Sequence, residues 1–240
     1  MGGVNAEDQN VDAAGKGRKL NKLDFSVVIE RWDELLYGVV STLGLSVAGI
    51  FFALIIGVSG VALQRFGHRA FRIPVRIFVE VIRNTPFLVQ IFFLFFALPY
   101  LGVRLNPTVT AIIALAINGG AYAIEIIRGG VESIPRGQVE AGAALGLSRA
   151  QVFRDVVLVP ALRAIYPALT SQFILLTLTS SVCSSISANE LTHFAQRIES
   201  ATFRSFEVYF TITGLYLLIS WLMMTILAVL GRRLFNYPNQ

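Results

Sequence analysis

Arg83 stands inside a long apolar stretch, one helical turn after Glu80. A charge placed within a membrane-spanning helix costs roughly 2.5–3.5 kcal/mol on insertion scales, so it needs a partner or a role. Two readings are open. Glu80 lies on the same helical face and can neutralise it as a structural pair. Alternatively, Arg83 holds the carboxylate of a small solute. Gln90, Asn118, Thr177, Thr179 and Ser181 are polar side chains in similarly apolar surroundings. They either line a cavity or hydrogen-bond neighbouring helices. Such groups recognise a polar solute; they do not break bonds. There is no Gly-x-x-x-x-Gly-Lys-Ser/Thr phosphate loop. Two histidines, His68 and His193, and the single Cys183 do not suggest a zinc or histidine-based centre. No catalytic, cofactor-binding or metal-binding residue is assigned, and the chain is not expected to be an enzyme by itself.

A second constellation is polar and helix-forming: Glu140-Ala141-Gly142-Ala143-Ala144-Leu145-Gly146-Leu147-Ser148. Pro135-Arg136-Gly137 breaks the chain before it. Residues 138–145 favour helix, and Gly146 suits a C-terminal cap. Ser148 followed by Gln151 matches a capping box that starts a second helix over 149–158. The small residues Ala141, Gly142, Ala143 and Ala144 permit close approach of another surface, and Glu140 can pair with a basic group there. An amphipathic loop lying on the membrane is the plainer alternative.

The elements that carry these residues follow from composition. The chain is 55% hydrophobic and 15% charged, whereas a soluble domain carries about 25% charged residues. Its mean hydropathy is +0.65. Residues 43–63, 84–103, 105–124, 164–189 and 208–231 contain no Asp, Glu, Lys, Arg or His. At 1.5 Å per residue each can cross a hydrocarbon core about 30 Å thick as a helix. Barrel strands would be about 10 residues long and alternate in polarity, which these segments do not. The fold class is therefore an all-α integral membrane protein with five transmembrane helices and a two-helix loop between the third and fourth. The spans are expected at about 38–63, 74–100, 108–128, 161–186 and 208–231. Pro86 is expected to kink the second, and the fifth to face lipid.

Residues 64–76, 125–163 and the C-terminal tail hold eleven arginines, against Arg104, Arg197 and Arg204 in the opposite loops. The arginine-rich side is cytoplasmic by the positive-inside rule, which puts the two-helix loop inside and the N-terminus outside. Lys16, Arg18, Lys19, Lys22 and Arg31 disagree, partly offset by neighbouring acids. The net charge of +5 thus records topology rather than nucleic-acid binding. Residues 1–24 read as a disordered polar tail without a cleavable signal peptide. Residues 25–37, with Trp32 and Tyr37, read as an interfacial amphipathic helix.

The chain after residue 25 resembles the polar amino-acid permeases of ATP-binding-cassette (ABC) importers. The resemblance rests on Ile82-Arg83-Asn84-Thr85-Pro86-Phe87-Leu88-Val89-Gln90, on Asn118-Gly119-Gly120-Ala121-Tyr122 with Glu125-Ile126-Ile127-Arg128-Gly129-Gly130, and on Ser133-Ile134-Pro135-Arg136-Gly137-Gln138. The 140–146 loop and Thr202-Phe203-Arg204-Ser205-Phe206-Glu207-Val208-Tyr209 complete it. It implies a type I transmembrane domain over 38–240 with its coupling loop at about 129–160. Glu140, Ala141, Gly142 and Gly146 would then dock in the ATPase. The implied partners are a second permease subunit of the same or a homologous chain, a cytoplasmic ATPase dimer, a periplasmic solute-binding protein, an amino-acid substrate and membrane lipid. No cofactor is implied in this chain; ATP and magnesium belong to the ATPase. The implied location is a bacterial inner membrane. Glu125 and Arg128 would shape the loop or a gate. Glu190, His193, Arg197, Glu199, Arg204 and Glu207 would meet the binding protein or be solvated.

Two positions depart from the family pattern. Pro160 falls one place later than usual. Leu178 and Thr179 stand where many relatives have Lys-Asp, so no preference for a cationic substrate carries over. The rival from another class is a self-contained secondary transporter or channel. Its expected signs are paired membrane acids, a proton relay or an inverted repeat, and none of these is convincing here.

Overall fold

The computed structural model of the chain describes residues 23–235, so nearly all of the expected polar tail lies outside them. The described residues are helical, without a strand. The first helix, α1 (Ser26–Glu30), is five residues long and ends where Arg31 leaves helical geometry (φ −115°, ψ 26°). α2 (Trp32–Phe66) then runs for 35 residues, about 52 Å at the helical rise. The boundary therefore differs from the expected interfacial helix over 25–37: from Trp32 onward the chain is already in the spanning helix. α1 is held against the last helix, with Asp24 N–H donating to Glu207 Oε1 at 3.0 Å and Phe25 meeting Phe210 edge-on at 6.2 Å.

The segment expected as the second crossing is bent in two. α3 (Arg69–Arg83) and α4 (Phe87–Ala97) meet at 109° across Asn84-Thr85-Pro86. A proline has no N–H to donate and its ring excludes the preceding helical backbone, so the expected kink is a full break. The other crossings are single helices: Trp32–Arg65, Pro107–Glu132, Val152–Ile186 and Ser205–Leu234.

α5 (Pro107–Glu132) is the central element and has the most buried span. Asn106 Oδ1 caps it by accepting from Val109 N–H at 2.8 Å, with Pro107 in its first turn. Its partner is α2, and the two run parallel along a seam of small residues. Gly49 faces Leu115, Ala53 faces Gly119, Ile56 faces Gly120 and Gly57 faces Ala123. A Cβ on Gly57 would stand 2.7 Å from that of Ala123. Lipid supplies no hydrophobic force between helices, so such close backbone approach is what joins them.

The loop after α5 holds α6 (Arg136–Ala144). Next come α7 (Arg149–Gln151), a π-helical stretch (Val152–Leu158), α8 (Val159–Thr179) and a 3-10 stretch (Ser180–Ile186), with no break from 149 to 186. Here the structure corrects the expectation that the second loop helix ends at 158, before a separate span from 161. The reason lies at Pro160, whose ring would meet the carbonyl of Val156 in a regular α-helix. The wider π turns just before it move that carbonyl, and the helix passes through.

α9 (Leu191–Thr202) and α10 (Ser205–Leu234) close the fold. One core of Leu45, Ile91, Ala111, Leu115, Leu176 and Cys183 binds α2, α4, α5 and α8. A second, beside it, joins α1, α2, α9 and α10 through Leu35, Leu191, Ala195, Ile198 and Val208. α10 leaves most of its apolar surface uncovered, as a lipid-facing helix does.

Candidate functional site

Arg83 ends α3 beside the break, and its partner is not Glu80. Its Nη1 donates to Glu125 Oε2 on α5 at 3.4 Å. The guanidinium also lies over the Tyr122 ring, 5.4 Å from its centre. Glu125 and Tyr122 sit three residues apart on α5, so one helical face presents both. Arg128 holds Glu125 more firmly. Its Nε reaches Oε1 at 3.2 Å and its Nη2 reaches Oε2 at 2.8 Å. The same guanidinium extends Nη1 to Glu132 at 3.0 and 3.1 Å. A ladder of charges thus runs along α5 from the break in the second crossing to the start of the loop.

These groups line a cleft of about 1030 Å³ between the end of α2, α3 and α5. Arg65, Arg72 and Arg76 line it too, together with Glu80 and Asn84. On α3 the residues Arg69, Arg72, Arg76, Glu80 and Arg83 recur every three or four positions and form one stripe. Phe71, Ile73, Ile77 and Val81 are exposed apolar residues between them. The cleft is therefore polar and mainly cationic, and it opens at the end of the bundle where α2 and α5 finish. That environment holds a small charged or zwitterionic solute better than lipid does.

Gln90 and Asn118 lie together behind the cleft. Gln90 Nε2 donates to the carbonyls of Ile82 at 2.7 Å and Thr85 at 3.0 Å. Its Oε1 accepts from Asn118 Nδ2 at 3.1 Å. The structure spends both polar ends of Gln90 on holding the break against α5. Thr177 is buried, bonded to the Phe173 carbonyl at 3.0 Å and touching Met223 Sδ at 3.3 Å. Thr179 and Ser181 return their hydroxyls to the carbonyls of Leu175 and Leu178. These three do not border the cleft. Sequence spacing pointed Arg83 at Glu80 because they share a helix; Glu125 is 42 residues away, and only the pairing of α3 with α5 brings it near.

In the loop, Gly146 adopts φ +78°, which glycine tolerates without a Cβ penalty. Leu147 N–H reaches the Gly142 carbonyl at 3.2 Å and Gly146 N–H reaches that of Ala143 at 3.0 Å, the Schellman closure of a helix. Ser148 and Gln151 cap reciprocally, with Ser148 N–H on Gln151 Oε1 at 2.9 Å and Gln151 N–H on Ser148 Oγ at 3.4 Å. Glu140, Ala141 and Gly146 are exposed. Gly142 is buried instead, because Val152 and Val156 pack onto it. The small residue serves the loop's own two arms.

A further polar group lies in the second core. Glu190 is fully buried and caps α9, accepting from Thr192 N–H at 2.8 Å and from His193 N–H. Tyr216 Oη donates to it at 2.8 Å. Burial pushes its carboxyl up to about 7. Glu207 is also buried, bonded to Asp24 N–H and Arg204. The expectation that both are solvated or meet a partner does not hold for them; each ties helices together. The signal available for Glu190 was its place just before Leu191, at a helix start, but glutamate is not a favoured N-cap.

Residues 47–236 match the family described as binding-protein-dependent transport system inner membrane component. The glutamine transport system permease protein GlnP of Escherichia coli (strain K12) is 38% identical over 215 residues, covering 89% of this chain and 98% of that protein. The L-cystine transport system permease protein TcyB of Bacillus subtilis (strain 168) is 33% identical, covering 86% and 88%. A crystal structure of an amino acid ABC transporter with histidines superposes with a TM-score of 0.83 at 30% identity, over 88% of this chain and 99% of that one. The MetNI methionine ABC transporter, inward facing, shares the fold with a TM-score of 0.70 at 22% identity, over 85% and 98%. A broken crossing, a charged cleft and a capped two-arm loop thus stand on a fold and sequence found in such permeases. The chain belongs to the binding-protein-dependent transport system inner membrane component family, as a multi-pass permease subunit of the ABC amino-acid importer type.

Proposed function

We propose that this subunit passes a polar amino acid into the cytoplasm through the cleft beside the broken second crossing. The observation that carries this is Arg83. It is a guanidinium beside the break, held by one long contact to Glu125 and open to a cleft large enough for an amino acid. Its neighbour Glu80 offers a carboxylate for an α-ammonium group, and Arg83 a guanidinium for an α-carboxylate. Gln90 and Asn118 hold the bend that presents them, while Thr177, Thr179 and Ser181 stand away from the cleft. The relatives' names support the substrate class: glutamine for one, L-cystine for another.

The arginine bias places the α6 loop in the cytoplasm and the N-terminus outside. There Glu140, Ala141 and Gly146 meet an ATPase, with Gly142 holding the loop's shape. The working assembly pairs this chain with a second permease subunit, an ATPase dimer that binds ATP and magnesium, and a periplasmic binding protein. ATP-driven closure of the ATPases moves the loop and turns the path between its two openings.

The test is a reconstituted complex with its ATPase and binding protein, comparing wild type with Gly146→Asp. The reading expects amino-acid uptake that requires ATP and is lost, with its coupled hydrolysis, in the folded variant. ATP-dependent uptake unchanged by Gly146→Asp would remove the role assigned to the loop. Uptake in proteoliposomes lacking the ATPase would instead make the chain a self-contained transporter.

A further inference from the structure

Glu125 is shared unequally by two arginines. Arg128 grips both of its oxygens, at 3.2 and 2.8 Å, in the bidentate geometry that favours arginine–carboxylate pairs. Arg83 reaches only Oε2, at 3.4 Å, an oxygen already taken by the shorter Arg128 bond. Arg128 is itself fixed at its other end by both oxygens of Glu132. Its three nitrogen positions are all engaged, and it is the least free cation of the ladder. Of the two arginines on Glu125, Arg83 is the more weakly held. Its other contact is the face of Tyr122, which leaves its remaining N–H groups toward the cleft.

We propose that Arg128 is a positioning residue that sets the affinity of the cleft for the substrate carboxylate by holding Glu125 away from a full grip on Arg83. The inference rests on the reading of Arg83 as the carboxylate-binding group. A carboxylate arriving in the cleft competes with Glu125 for the Arg83 guanidinium. The competition is winnable because Arg128 has already drawn Glu125 toward α5. Without Arg128, the freed Glu125 carboxylate turns wholly to Arg83, and the incoming carboxylate faces a closed pair. Without the Glu125 charge, Arg83 is available whatever Arg128 does.

Removing Arg128 and removing the Glu125 charge therefore have effects of opposite sign, which a role in packing alone does not produce. The experiment measures equilibrium binding of labelled L-glutamine to the purified permease–ATPase complex, with the binding protein omitted so that its own affinity does not enter. Arg128→Gln is expected to weaken binding about two- to fivefold, and Glu125→Gln to tighten it by a similar factor, the range given by half-exposed ion pairs. The double variant should match Glu125→Gln. Binding of L-glutamine amide, which lacks the α-carboxylate, should be insensitive to Arg128→Gln. Arg128→Lys, which keeps the charge but not the fork, should fall between wild type and Arg128→Gln.

An Arg128→Gln complex that hydrolyses ATP and binds L-glutamine as wild type does would overturn the proposal. Additive effects in the double variant would do the same. If the wild-type complex binds none of the twenty amino acids while ATP-driven uptake persists, the cleft is not the site, and the reading of Arg83 fails with it. If uptake is normal and only the opposite signs are missing, Arg83 survives and the role of Arg128 alone is lost.

Discussion

Gln90 Nε2 stands 2.7 Å from the carbonyl oxygen of Ile82, the acceptor that in an unbroken helix would face the N–H of residue 86. Residue 86 is proline and has none. A side chain from the next helix therefore supplies the donor that the backbone cannot. Replacing Gln90 with leucine leaves the Ile82 and Thr85 carbonyls and the Asn118 amide without these bonds. Asn118 is buried, so the loss of its amide's partner is expected to cost about 1–3 kcal/mol; the exposed Thr85 and half-buried Ile82 carbonyls, the latter also reached by Thr85 Oγ1 at 3.4 Å, add less. The apparent melting temperature of the purified subunit should fall. Gln90→Glu, which has no N–H to give, should resemble leucine more than wild type.

The α5–α8 contact is tight at Gly130. A Cβ there would lie 2.0 Å from Ile165 Cγ2 and 3.2 Å from the Ala161 carbonyl oxygen. Gly130→Ala is expected to destabilise by about 1–3 kcal/mol through overpacking. Ile165→Ala should recover part of that loss in the double variant, since it removes the nearest clash. A double-mutant thermal-shift cycle checks this.

Gly146 predicts a graded series. Its φ of +78° costs a side-chain-bearing residue about 1–2 kcal/mol, least for asparagine and most for a β-branched residue. Gly146→Asn should leave the loop nearly intact and keep coupled ATP hydrolysis. Gly146→Val should lose it while the subunit still folds, since no atom crowds the site. Equal loss in both variants would mean that surface contact, not backbone conformation, is what the position supplies.

Glu190 predicts a pH dependence whose sign follows from burial. Its carboxyl is raised from 4.5 to about 7 chiefly by burial, against the opposing pull of Thr192, Tyr216 and His193. A raised carboxyl binds its proton more tightly in the folded state. Its contribution to stability is therefore full below about 4.5 and is lost as pH rises to about 7. The apparent melting temperature should fall between pH 5 and 7.5, and Glu190→Gln should flatten that slope. A slope equal in both proteins would assign it to other groups.

The apolar runs made four spanning-length helices and one bent pair legible, because charge-free segments of that length suit a helix in lipid. The loop's turn was legible too: glycine, serine and glutamine at 146, 148 and 151 each have a backbone reason to be there. Arg83 was legible as a charge needing a partner, but not which partner, since helical spacing sees Glu80 and cannot see across to α5. Glu190 and Glu207 were misread for a related cause. Their loop is polar in sequence, and only the packing of α1, α9 and α10 shows that both carboxylates are covered. The passage of the helix through Pro160 was hidden because composition does not distinguish a π stretch from an α-helical one.

That passage has a mechanical meaning. Residues 152–186 form 35 residues of uninterrupted helix, about 52 Å from end to end, and Gly142 seats its lower end against the exposed arm of the loop. A hinge at Pro160 would let the loop swing while the span stayed still. Without one, the arm and the span behave as a single lever. A thrust at the loop would become torque along that helix, delivered at its far end to the buried Cys183 and Ile186, which pack in one core with Ile91 of α4.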